Sequence, residues 1–168
     1  MPPIAAKEKT ADKYIIYADG VDLALINFTL RRNTSTELAT ITLPIDYKDI
    51  LAAATVISID MVSLNFYGIE TTTEIFTGGL DDLSTTYSSV TVNCSGTASW
   101  PASAERLFAN VSYISDDANY YSCRLNVDPS FSPGDTGFLG LREININRVV
   151  IIANNNQAYM ELSDVGQV

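Results

Sequence analysis

The chain has 168 residues, 46% of them hydrophobic and 18% charged, with 20 acidic against 10 basic side chains and a formal net charge of −10. That length suits one sizeable core rather than two, and the apolar content argues against a disordered chain. Ten cations against twenty anions argue against tight binding to a nucleic-acid backbone, which needs clustered Lys and Arg to release counterions.

Residues 1–13 open with Pro2-Pro3 and are otherwise polar and charged, so they read as a flexible or docking N-terminal arm, with 14–168 as a single β domain. The arm lacks the apolar core of a signal peptide and no later stretch is long enough to span a membrane. Synthesis in the cytosol and no membrane contact are therefore expected. Residues 14–18 are β-prone, and Asp19-Gly20, which tolerates left-handed geometry, predicts a hairpin with a strand returning from Val21. From there the apolar phase slips, Val21, Leu23 and Leu25 giving way to Ile26, Phe28 and Leu30. A slip of that kind predicts a bulge or a strand that changes packing partner. Residues 31–37, with the chain's only adjacent arginines, read as a polar loop. Residues 38–43 alternate as a strand that Pro44 stops. Residues 46–54 predict a helix of two turns with Asp46 as its N-cap.

Three further strands are expected over residues 55–62, 64–70 and 73–80, the last interrupted by Gly78-Gly79, a pattern that marks a bulge or bend in a sheet. Val90, Val92 and Cys94 alternate cleanly with polar neighbours, and Trp100-Pro101 closes that section. Residues 104–114 could start a helix, but Leu107, Ala109, Val111 and Tyr113 alternate, and the strand is favoured. Asp116-Asp117 and Asn119 predict a turn. Tyr121, Cys123, Leu125 and Val127 then mark the apolar face of a strand. The breaker cluster 129–140, centred on Pro133-Gly134-Asp135, must turn the chain, since proline fixes φ and glycine permits its positive range. A run over 144–152 reaches Asn154-Asn155-Asn156 and returns over 158–162 as a hairpin. The whole reads as mainly β, an antiparallel barrel or sandwich of about ten short strands with one short helix.

Motifs for chemistry are missing. Histidine is absent, and there is no glycine-flanked serine elbow, no phosphate-cradling glycine loop and no cysteine pair at zinc spacing. No catalytic residue, metal or cofactor is expected, and the chain is not read as an enzyme. The adjacent carboxylates Asp81-Asp82 and Asp116-Asp117 read as solvated turn residues, because neighbours on a strand point to opposite faces and cannot share one ion. Cys94 and Cys123 each fall on the apolar phase of a strand and read as buried free thiols, a disulfide being the alternative. Tyr113, Tyr120 and Tyr121 read as core or subunit-interface residues rather than a sugar-stacking platform.

An early strand pair at Asp19-Gly20, a threonine-rich strand ending at Leu43-Pro44, a hairpin arm reading Ile75-Phe76-Thr77-Gly78 and a late Pro133-Gly134-Asp135 loop before a final strand pair recur in this order in one family. In these features the chain resembles the β-barrel domain shared by tail-tube and baseplate-hub proteins of tailed bacteriophages and related injection machines. The resemblance implies a structural virion protein of the tail, assembled in the host cytoplasm as a homo-oligomeric ring of tube, hub or adaptor type. Such a ring would contact other tail or baseplate proteins, and its acidic lumen would let DNA slide without sticking. A jelly-roll carbohydrate-binding or capsid decoration module shares the strand count, the acidity and the tyrosines, and is the alternative.

Overall fold

Period-two alternation sets the strands of this protein, since every second side chain needs cover and the next can face water. A computed structural model describes residues 12–108, 111–117, 120–139 and 141–164. In chain order it holds β1 (Lys13–Ala18), β2 (Val21–Leu23), β3 (Asn27–Asn33), β4 (Glu37–Pro44), a 3-10 turn (Ile45–Tyr47), α1 (Lys48–Ala53), β5 (Val56–Leu64), β6 (Glu70–Thr85) and β7 (Ser89–Gly96). There follow β8 (Glu105–Leu107), β9 (Tyr113–Asp117), β10 (Tyr120–Leu125), β11 (Thr136–Leu139), β12 (Arg142–Asn145), β13 (Arg148–Asn154) and β14 (Ala158–Ser163).

Eleven strands form one sheet in the order β2-β1-β5-β6-β7-β4-β3-β13-β14-β10-β9, and β12-β11-β8 form a small second sheet. Pairing is antiparallel except between β8 and β11. The large sheet does not close into a barrel, because its end strands β2 and β9 do not pair. It is sandwich-like, and β6 makes the corner. The first half of β6 pairs with β5 as far as Gly79, and its second half pairs with β7 from Gly78 onward. The chain crosses a second time after β2, which pairs with β1, whereas β3 pairs with β4 and β13. The slipped apolar phase along residues 21–30 is that change of partner. Ile16, Ile57 and Ile59 from one side meet Phe28, Ile41, Val92 and Ile151 from the other in a single buried cluster. Apolar area removed from water there is the main stabilising term.

Several segments depart from the sequence reading. Residues 31–33 continue β3 instead of forming a loop, because Arg32 keeps the phase of Phe28 and Leu30 and is buried with them. Residues 65–69 are a turn rather than part of a strand. The Asn65 side-chain oxygen accepts from the backbone N–H groups of Tyr67 and Ile69, both at 2.9 Å, and Gly68 takes φ 77°. Local side-chain hydrogen bonding overrides the β-prone composition there. Residues 73–80 belong to a strand that runs on to Thr85, so Asp81-Asp82 lie in β6 and not in a turn. Asp46 does not cap a helix: it sits in the 3-10 turn, and α1 begins at Lys48 without a side-chain cap. Of the described residues in 104–114 only Glu105–Leu107 and the start of β9 are strand, while Ala109 and Asn110 lie outside the described residues. Asp116 and Asp117 pair with Tyr121 and Tyr120 inside the β9–β10 ladder, and Asn119 lies outside the described residues. The run 144–152 is split at Ile146-Asn147, so that β12 pairs with β11 while β13 turns to β3 and β14.

Candidate functional site

The turn residues singled out from the sequence act on the scaffold. Asp19 and Gly20 have φ of 47° and 86°, the doubly left-handed geometry of a two-residue hairpin. The Asp19 carboxylate accepts from the Thr55 N–H, the Thr55 hydroxyl and the Val56 N–H at 2.9–3.2 Å, tying the β1–β2 turn to the start of β5. Those hydrogen bonds, from Val56 first, hold its pKa below the ordinary 3.8. At the corner of β6, Gly78 stands opposite Gly96, and a Cβ on Gly78 would collide with the Ser95 carbonyl oxygen and lie 2.7 Å from the Phe76 ring. Gly79 has no such neighbour: the nearest atom is the Thr55 carbonyl oxygen at 4.0 Å. Extra residues in β6 at Ile75 and Asp81 flank this corner, so two bulges and one close approach produce the bend.

The loop Pro133-Gly134-Asp135 anchors the small sheet. Gly134 has φ 100° and donates its N–H to the Ile146 carbonyl at 2.7 Å. The buried Asp135 carboxylate accepts from the N–H groups of Ala104 and Ser132, both at 3.0 Å, and from Arg106 Nε at 3.2 Å. Asp19 and Gly79 both adjoin Thr55-Val56, and the seven turn residues fix backbone geometry.

Sequence reasoning missed the buried charge at the centre. Arg32 forms an ion pair with Glu37 at 3.3 Å, donates to the carbonyls of Pro129 and Phe131 at 3.1 and 3.4 Å and to that of Ile75, and lies over the Trp100 ring at 5.6 Å. Ile75 is the extra residue of the β5–β6 bulge, so the guanidinium supplies a donor where the ladder is interrupted. Burial raises the Glu37 pKa and lowers that of Arg32, while their mutual attraction opposes both shifts. The signal available in the sequence was phase: Arg32 continues the alternation of Phe28 and Leu30.

From this anchored root a hairpin projects. β1 pairs with β5 only as far as Val62, and among the described residues no strand flanks β5 or β6 beyond that point. Every residue from 64 to 74 is exposed, with Phe66 at 83%, Tyr67 at 84% and Ile69 at 61%. A two-stranded ribbon alone in water is marginally stable, and large apolar side chains on its tip gain by being covered. Tyr87 is exposed at the opposite end of β6, in the β6–β7 turn.

Other candidate residues are accounted for locally. Cys94 and Cys123 are free and buried. Burial, then the Asp81 and Asp82 carboxylates, push the Cys94 thiol up to about 12, and burial pushes Cys123 up to about 11. Asp81 and Asp82 accept from Ser95 Oγ and Asn93 Nδ2 at 3.0 and 2.6 Å. Tyr121 is buried beneath the Arg142 guanidinium, 4.6 Å from its ring centre, and so offers no stacking face, while the side chains of Tyr113 and Tyr120 lie outside the description. Among the described residues no three His, Cys, Asp or Glu side chains are grouped to hold a metal, and no helix is long and apolar enough to cross a membrane.

No protein-family model matches the chain, and no curated protein matches it in sequence. Among solved structures it is similar to the crystal structure of the prophage MuSo2 43 kDa tail protein from Shewanella oneidensis. The TM-score is 0.56 at 7% identity, over 92% of this chain and 97% of that one. The likeness is one of fold alone, and a distant one.

Proposed function

We propose that this chain is a non-enzymatic structural subunit of a phage tail or related injection machine, a tube, hub or adaptor component that assembles with copies of itself as a ring. The projecting β5–β6 hairpin carries the reading: an exposed ribbon with an aromatic tip gains stability only when a neighbour covers it. The fold likeness to a prophage tail protein supports the same reading. Residues 14–168 would serve as one building block, the N-terminal arm as a further docking element, and the virion as the place of action. A net charge of −10 suits a channel wall, since carboxylates facing a lumen repel phosphates and let DNA pass without tight binding.

Sedimentation velocity on the full chain across a concentration series tests self-assembly, with F66S/Y67S as the comparison. The expected result is a mass that grows with concentration for the parent chain and stays near monomeric for the variant, with unchanged circular dichroism. A parent chain monomeric at every concentration, or a variant that assembles equally well, would overturn the proposed role of the hairpin.

A further inference from the structure

The outer face of β3, β13 and β14 holds a shallow groove of about 240 Å³ whose lining includes Thr29, Arg31, Arg148, Val150, Ile152 and Glu161. Arg31 stands opposite Val150 in the β3–β13 ladder and Arg148 lies two residues along β13 from Val150, so both arginines adjoin Val150 and Ile152 extends the apolar floor beyond them. Glu161 is engaged by Arg124 at 2.7 Å, and among the described residues neither Arg31 nor Arg148 has a carboxylate within ion-pair distance. In a chain of net charge −10 these are, among the described residues, cations without an ion pair.

The projecting hairpin has the complementary pattern. Residues 60–74 contain Asp60, Glu70 and Glu74 and no Lys or Arg. In register, Glu70 stands opposite Leu64, and Glu74 stands opposite Asp60. Asp60, Leu64, Glu70 and Glu74 therefore share one face of the ribbon, three acids with an apolar side chain beside Glu70, where the groove sets two bases beside an apolar floor. Like charges directly opposite each other destabilise a strand pair. Lys13, on β1, stands opposite Val62, and among the described residues it makes no ion pair with Asp60 or Glu74. Copies with net charge −10 repel one another, so a self-contact gains where it sets unneutralised cations against carboxylates.

We propose that the Arg31–Arg148 groove seats the β5–β6 hairpin of a second copy, head to tail, with the arginines against Glu70 and Glu74 and Leu64 over the Val150–Ile152 floor. The contact is heterologous, so it propagates into a ring or a stack. The inference rests on the self-assembly proposed above and names its surfaces.

The test uses the full chain and two charge-reversed variants, R31E/R148E and E70R/E74R, each checked by circular dichroism and followed by sedimentation velocity. Each variant alone should associate at least about tenfold more weakly than the parent. An equimolar mixture of the two should recover association, because reversed grooves then meet reversed hairpins. If the parent associates and R31E/R148E associates equally well, the groove is not the seat, although self-assembly stands. If both variants are impaired and the mixture recovers nothing, the pairing of these two faces is wrong. A parent chain that never associates overturns the self-assembly reading and this inference together.

Discussion

Replacing Arg32 by Met removes the buried cation that joins β3, the β5–β6 bulge and the loop before β11. The Arg32 and Glu37 side chains are only 7% and 9% exposed. Removing one partner of such a pair leaves an uncompensated buried charge and costs about 3–5 kcal/mol. The carbonyls of Pro129, Phe131 and Ile75 lose a donor as well, at roughly 1–3 kcal/mol for each acceptor left dry, although such costs overlap rather than add. A loss of about 4 kcal/mol is expected for R32M by equilibrium urea unfolding at neutral pH. The double variant R32M/E37L removes both charges and should recover a large part of that loss. With Arg32 gone, only burial acts on Glu37, and its folded pKa rises further above the unfolded value of 4.5. The folded state then binds a proton that the unfolded state lacks, so stability falls as pH rises through that window and the R32M penalty should be smallest near pH 4. A cost below about 1 kcal/mol for R32M, or a double variant as unstable as the single one, would refute the role assigned to this pair.

At the β6 corner, G78A should cost about 1–3 kcal/mol, because its methyl group meets backbone that cannot step aside, whereas G79A should fall within about 0.5 kcal/mol of the parent. Equal unfolding midpoints for the two variants would remove the close approach as the reason for glycine. For D19N, which retains an acceptor and tolerates left-handed geometry, the expected change is in acid sensitivity. The Asp19 pKa is lower folded than unfolded, so its contribution is present above 3.8 and is lost as pH falls through the folded value, and D19N should unfold over pH 4 to 2 with a shallower loss of stability than the parent. An unchanged acid profile would contradict that. Cys94 and Cys123 should resist thiol reagents at pH 8 while the chain is folded and react fully in denaturant, since burial disfavours both thiolates. Rapid labelling of the folded chain would show that their strands open.

Where one face of a strand is wet and the other dry, the alternation could be read directly, as in Tyr121, Cys123 and Leu125 or Val90, Val92 and Cys94. The Asp19-Gly20 turn was equally legible, since few residue pairs accept two consecutive positive φ values. Partner choice was not legible. Nothing local tells β4 to pair with β7 or β3 with β13, and a barrel differs from this open sheet only in whether its end strands meet. The length of β6 was hidden because Gly78-Gly79 and Asp81-Asp82 look like breakers, whereas they serve a strand shared by two layers. Arg32 falls in the stretch 31–37, whose polar composition reads as a loop, and phase is the better guide to its burial in β3. The projecting hairpin was misread for the opposite reason: Phe66, Tyr67 and Ile69 have the composition of a buried strand, and only the fold shows that nothing described covers them.

Negative-stain imaging of the purified full chain at concentrations where it self-associates tests the central claim most directly. The account predicts closed rings or stacked rings with a central opening wide enough for a DNA duplex, and their loss in F66S/Y67S. Compact particles without an opening, or a uniform field of monomers at every concentration, would contradict it.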